Sequence, residues 1–134
     1  MFQQLILAGY LGADPELRFM PSGDPVATLS VATSKTYTDK GGQKVESTTW
    51  FRVSVFGKQA ESCNQYLKKG SPVLVVGELK PDPETGGPHV YQRKDGTSGA
   101  NFEVTAQTVR FLPSRNDETA SYNQEPVSDD DIPF

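Results

Sequence analysis

Cysteine and histidine are almost missing from this sequence: Cys63 and His89 are the single examples of each among 134 residues. One cysteine cannot close an internal disulfide, and a lone thiol fits a reducing compartment such as the cytoplasm. One histidine, in a breaker-rich loop with no cysteine beside it, is expected to be solvated and cannot assemble a zinc site. Long apolar runs are missing too. No stretch reaches the ~18 apolar residues of a membrane-spanning helix. The opening "MFQQLILAGYLGADPE" has neither a basic leader nor a small-residue cleavage site, so it reads as a first strand and not a signal peptide. No G-x-x-x-x-G-K-[ST] loop is present to cradle phosphates; "GDP" and "GGP" are turn chemistry. Hydrophobic residues make up 35% of the chain, little for a fully packed globule, so part of it is expected to lie outside the core.

The net charge of −4 argues at first against a nucleic-acid partner. Its placement changes that argument. Residues 113–134 hold one base, Arg115, against six acids, whereas residues 1–112 hold twelve bases against eleven acids. A near-neutral body therefore carries an acidic tail.

The body reads as β. "QLILAGYL" is a buried first strand stopped by Gly12 and Asp14-Pro15, and residues 26–33 alternate as a second after the turn cluster "PSGDP". Residues 34–49 form a long polar excursion with Gly41-Gly42 at the tip, expected as an extended hairpin loop. A third strand covers 49–57. The helix predicted over 58–70 has Ala60, Cys63 and Leu67 at i, i+3 and i+7, with Lys68-Lys69 in its last turn and Gly70 as its stop. A fourth strand spans 72–80, a loop 81–99, and a fifth strand 101–112. Five strands with one short helix between the third and fourth predict an all-β Greek-key barrel of the OB type, and exclude a doubly wound parallel sheet. The expected domains are a barrel over 1–112, a disordered linker over 113–128 and a displayed acidic tip over 129–134.

The third strand carries the chemistry. Side chains alternate along it. Phe51, Val53 and Val55 make a core face, while Thr48, Trp50, Arg52, Ser54 and Phe56 face the other way. Large aromatics interleaved with a cation on an open sheet suit single-stranded nucleic acid, because every base has a face to stack and every phosphate a charge to meet. On this strand alone, a two-sided core with Arg52 reaching outward is an equal alternative. The loops weigh against it. Tyr37 stands between Lys35 and Lys40, Tyr91 precedes Arg93 and Lys94, Lys58 follows Phe56, and Lys80 closes the fourth strand. Catalysis finds no support: Cys63 lies on the apolar helix face, and Asp129 to Asp131 lack the enclosing geometry of a cation site.

These residues resemble the bacterial-type single-stranded DNA-binding proteins. The likeness covers roughly residues 3–112 and the last six, through "LILAGYLGADPELRFMPSG", "TTWFRVSVFGKQAE", "YLKKGSPVLVVGEL" and the terminal "DDDIPF". The resemblance implies that Trp50, Phe56, Tyr37 and Tyr91 stack on bases and that Arg52, Lys58, Lys68, Lys69 and Lys80, with Lys40 beside Tyr37, meet the backbone. It implies a cytoplasmic, nucleoid-associated homotetramer that coats single-stranded DNA in replication, recombination and repair, with no cofactor, metal or membrane. Asp129, Asp130, Asp131, Ile132, Pro133 and Phe134 would recruit enzymes of DNA metabolism, the apolar residues filling a pocket and the acids meeting a basic rim. Three features depart from the family's pattern: an insertion "PDPETGGPHV" in the second long loop, Phe51 where relatives often carry histidine, and a short linker. An OB-type RNA-binding domain and a protein–protein adaptor are the rival functions.

Overall fold

Alternation along the strands sorts the side chains of this computed structural model, which describes residues 1–113; the expected linker and acidic tip lie outside the described residues. Strands β1 (Leu5–Leu11), β2 (Glu16–Phe19), β3 (Pro25–Thr38) and β4 (Lys44–Phe56) precede helix α1 (Lys58–Tyr66). Strands β5 (Pro72–Leu79), β6 (His89–Gln92) and β7 (Ser98–Phe111) follow it. Every second residue of the central strands is buried: Leu7 and Leu11, Ala27, Leu29 and Val31, Val53 and Val55, Val73 and Val75, and Val104. Most are β-branched, the residue type that packs well on a pleated, half-buried surface.

The strands run β1–β5–β7–β4–β3 and close back on β1 through the pairs Tyr10↔Ala32 and Leu11↔Val31, giving the predicted five-stranded barrel. Pairing is antiparallel except between β4 and β7, which run parallel with Arg52 opposite Glu103. Closure leaves no free edge around the core. Helix α1 plugs the barrel with Ala60 and Cys63, and Leu67 packs just beyond it. Burial pushes the Cys63 thiol up to about 11, so it remains a neutral packing group at physiological pH.

Four parts of the sequence reading need correction. The helix stops at Tyr66, not at residue 70: Leu67 has extended backbone (φ −100°, ψ 150°) and its N–H still bonds the Cys63 carbonyl. Lys68 and Lys69 therefore sit in the following turn, where Ser71 Oγ accepts the Lys68 N–H at 3.0 Å. The polar stretch 34–49 is mostly strand. β3 and β4 stay paired from Val26↔Phe56 out to Thr38↔Lys44, a two-stranded ribbon projecting past the core. Asp39 Oδ1 closes its tip by accepting the N–H groups of Gly41 and Gln43, each at 2.9 Å. Two short strands were missed: β2, which pairs with β3, and β6, which pairs with β7 inside the predicted loop 81–99. The fifth predicted strand begins at Ser98, three residues early, because that pairing with β6 extends it.

Candidate nucleic-acid interface

Trp50, Arg52 and Phe56 lie on the outward face of β4, with Trp50 54% and Phe56 41% exposed. They stand above their neighbours because the β3 residues paired with the middle of this row are small: Ala32 opposite Trp50, Ser30 opposite Arg52 and Thr28 opposite Ser54. The indole also reaches across Gly12, where an added Cβ would lie 2.6 Å from Trp50 Cη2. Any side chain at position 12 would collide with the ring. A cleft of about 250 Å³ runs beside it, lined by Ala13, Asp14, Glu16, Thr28, Ser30, Trp50, Phe51, Arg52 and Asn101.

Two further clefts continue from this face. Arg52 is shared with one of about 490 Å³, whose other walls are His89, Tyr91, Asn101 and Glu103. Tyr91 is set there by β6, and its ring covers Gly99, the residue opposite it on β7. The Arg93 guanidinium carbon lies 5.7 Å from the Tyr91 ring centroid, within cation–π range. Arg93 is itself held by the Ser98 carbonyl, which accepts its Nη1–H at 2.7 Å. At the other end of β4, Phe56 shares a cleft of about 330 Å³ with Arg18, Phe19, Met20, Pro21, Val26, Ser54 and Lys80.

The predicted residues are thus brought together unevenly. Trp50, Arg52 and Tyr91 adjoin one another through linked clefts, and Phe56 meets Lys80. Lys68 and Lys69 lie in the turn after α1 and do not line the Trp50 cleft; the Lys69 backbone N–H donates to Oδ1 of Asp14, one of that cleft's residues, at 2.8 Å. Tyr37 is exposed on the ribbon opposite Val45, and alternation puts that pair on the reverse side from Trp50 and Ala32. Lys40 is exposed at the ribbon tip, and Lys58 is exposed at the start of α1. Asp129 to Phe134 lie outside the described residues.

Sequence reasoning missed Arg18 and Phe19, although "ELRF" shows an aromatic beside a cation. It also missed three acids on the face. Asp14 and Glu16 line the Trp50 cleft, and Glu103 Oε1 lies 3.9 Å from Arg52 Nε. That pairing spans 51 positions and comes from the one parallel contact, which no local pattern announces. Phe51, the departure noted above, packs against the half-exposed Phe102 at 5.8 Å between centroids. Among the described residues, no three His, Cys, Asp or Glu side chains converge to hold a metal, and no helix is long and apolar enough to cross a membrane.

Comparison with known proteins agrees with this geometry. Residues 2–112 match the Single-strand binding protein family. Single-stranded DNA-binding proteins of Neisseria meningitidis serogroups A and B are each 40% identical over 114 residues, 85% of this chain. The chain spans 62% of the length of those relatives. A deletion mutant of the single-stranded DNA binding protein from Thermus aquaticus superposes with a TM-score of 0.64 at 29% identity, covering 85% of this chain and 52% of that one. The Plasmodium falciparum SSB in complex with ssDNA shares the fold, with a TM-score of 0.66 at 23% identity over 84% of this chain and 96% of its own. On the sequence match, and with a closed barrel that agrees with it, the chain belongs to the single-strand binding protein family.

Proposed function

We propose that this chain binds single-stranded DNA non-catalytically and with little sequence preference. The observation that carries the reading is the outward row of β4, where Trp50 and Phe56 flank Arg52 and open into clefts reaching Tyr91 and Lys80. Aromatic rings accept any base, and cations meet the backbone whatever the sequence. Asp14, Glu16 and Glu103 interrupt the positive surface, which favours a strand threaded past discrete cations over a duplex laid on a uniform patch. The Neisseria relatives carry the same function in their names. In the cell this chain would coat exposed strands during replication, recombination and repair, as a cytoplasmic, nucleoid-associated protein. Asp129 to Phe134 would recruit enzymes of DNA metabolism.

Self-association into a tetramer belongs to the same proposal. Ile6 and Tyr10 are exposed on the outer side of β1, next to Val76 and Pro72 of β5. Such an apolar strip on a barrel wall favours burial against another copy. Light scattering should give about 58 kDa, four times the 14.6 kDa chain; a monomer mass would remove this part.

The test of function is a fluorescence titration with oligo-dT. Trp50 is the only tryptophan, so all indole emission reports on the proposed face. Single-stranded DNA should quench it strongly and duplex DNA weakly. An unchanged spectrum at saturation would remove the face from the binding site. A matched RNA oligonucleotide binding more tightly than the DNA would favour an RNA-binding role.

A further inference from the structure

The inserted loop before β6 folds into a turn of its own. The Asp82 N–H donates to the Gly87 carbonyl and the Gly86 N–H to the Asp82 carbonyl, both at 2.8 Å. Asp82 Oδ1 accepts the Glu84 N–H at 2.9 Å, and its other oxygen, Oδ2, lies 3.3 Å from His89 Nδ1. From His89 a row continues along β6. The rings of His89 and Tyr91 are stacked at 6.5 Å between centroids, and the Arg93 guanidinium lies over the Tyr91 ring. His89 opens on the cleft that also contains Arg52. His89 is exposed, as expected, and it also has a carboxylate partner.

The carboxylate determines what the ring can do. An ionised carboxylate only accepts hydrogen bonds, so Nδ1 must carry the proton between them. In the neutral ring Nε2 then has a lone pair, which repels a phosphate oxygen. Once protonated, Nε2–H donates to that oxygen in a charge-assisted bond. The charged and titratable groups around the ring are Asp82 and Glu84 in the loop, Tyr91 and Arg93 on β6, Glu103 on β7 and Arg52 on β4. Asp82 stays ionised throughout the range in which histidine titrates: the Glu84 backbone N–H, then the hydrogen bond from His89, hold its carboxyl below the usual value.

We propose that His89 is a proton-coupled phosphate contact, its Nε2 donating to the backbone of a strand crossing β6 only after the ring has taken up a proton from solvent. The inference rests on the single-stranded-DNA reading above. Binding would then consume up to one proton and tighten with acidification, adding a cation to a cleft in which Arg52 is already countered by Glu103.

His89 is the only histidine, so the experiment is direct. The full chain is titrated with oligo-dT, following Trp50 emission at fixed ionic strength, from about pH 7.5 to pH 5.5. Acidification favours the protonated ring, so affinity should rise as the pH is lowered. His89→Gln should lose this gain while keeping the quenching. Asp82→Asn, which frees the neutral ring to present an Nε2–H, should bind more tightly at the upper pH and show a flatter profile. Equal gains in wild type and His89→Gln, no gain in wild type, or an Asp82→Asn profile identical to wild type would each overturn the proposal while leaving DNA binding intact. Loss of Trp50 quenching at every pH would instead remove the underlying reading, and this one with it.

Discussion

At Trp50 and at Tyr91 an aromatic ring lies across a glycine, so the pose of each depends on a hydrogen atom where other residues carry a methyl group. Trp50, 54% exposed, keeps ring surface open to a stacking base. Trp50→Ala should weaken oligo-dT binding by about 1–3 kcal/mol, a range established on proteins of this class, with little loss of fold because the side chain packs on a surface. Anisotropy of a labelled oligonucleotide measures it; unchanged affinity would exclude stacking there. Gly12→Ala tests the pose itself. Its Cβ would crowd Trp50 Cη2 at 2.6 Å, so the indole must tilt. The free protein should then show a shifted emission maximum together with weaker binding. A shift without loss of affinity would mean the base does not need this pose of the indole. Trp50 was legible in sequence because its strand alternates cleanly. Glu103 and His89 were not, since what each does depends on a partner that chain order does not place beside it.

Elements that bury one face announce themselves, and elements that bury neither do not. β4 alternates so clearly between Phe51, Val53, Val55 and the outward row that both faces could be assigned from residues alone. Ala60 and Cys63 likewise identified the helix. The outer half of the β3–β4 ribbon and the whole of β6 are held by backbone ladders and turn contacts, with polar side chains on both sides, so hydrophobic periodicity is absent. What remains there is composition: threonines and valine in residues 33–49, and "HVY" in β6. This division predicts two kinds of mutant. Val53→Ala removes fully buried methyl groups from the barrel and should cost about 2–3 kcal/mol in denaturant unfolding. A loss under about half a kcal/mol would mean that Val53 contributes little to the core. Lys80→Ala and Lys40→Ala remove exposed cations and should leave stability within about 0.5 kcal/mol. Each should lower the slope of log affinity against log salt by roughly 0.7 if it meets one phosphate. Since Lys80 shares the Phe56 cleft and Lys40 stands at a ribbon tip, a change for Lys80 alone would confine the path of the strand to the barrel.

For the whole molecule, net charge misleads because body and tail have opposite balances. The body, with twelve bases against eleven acids, presents local cations, whereas residues 113–134 hold six acids and one base. If 113–128 behaves as a flexible coil, its r.m.s. reach is about 20–24 Å, close enough for Asp129 to Asp131 to compete with DNA phosphates for Arg52 and its neighbours. An apolar docking role and an electrostatic one then separate in two variants. Phe134→Ala removes a neutral side chain and should leave oligo-dT affinity unchanged while abolishing capture of enzymes of DNA metabolism. Changing Asp129, Asp130 and Asp131 together to asparagine should tighten DNA binding at low salt. That gain should fade as the Debye length shrinks toward about 8 Å at physiological ionic strength. The two readouts are independent, affinity by anisotropy across a salt series and capture by pull-down with purified enzymes. Should the asparagine variant bind DNA no more tightly at low salt, the acids do not visit the groove. Should the Phe134 variant keep its partners, the aromatic does not anchor them.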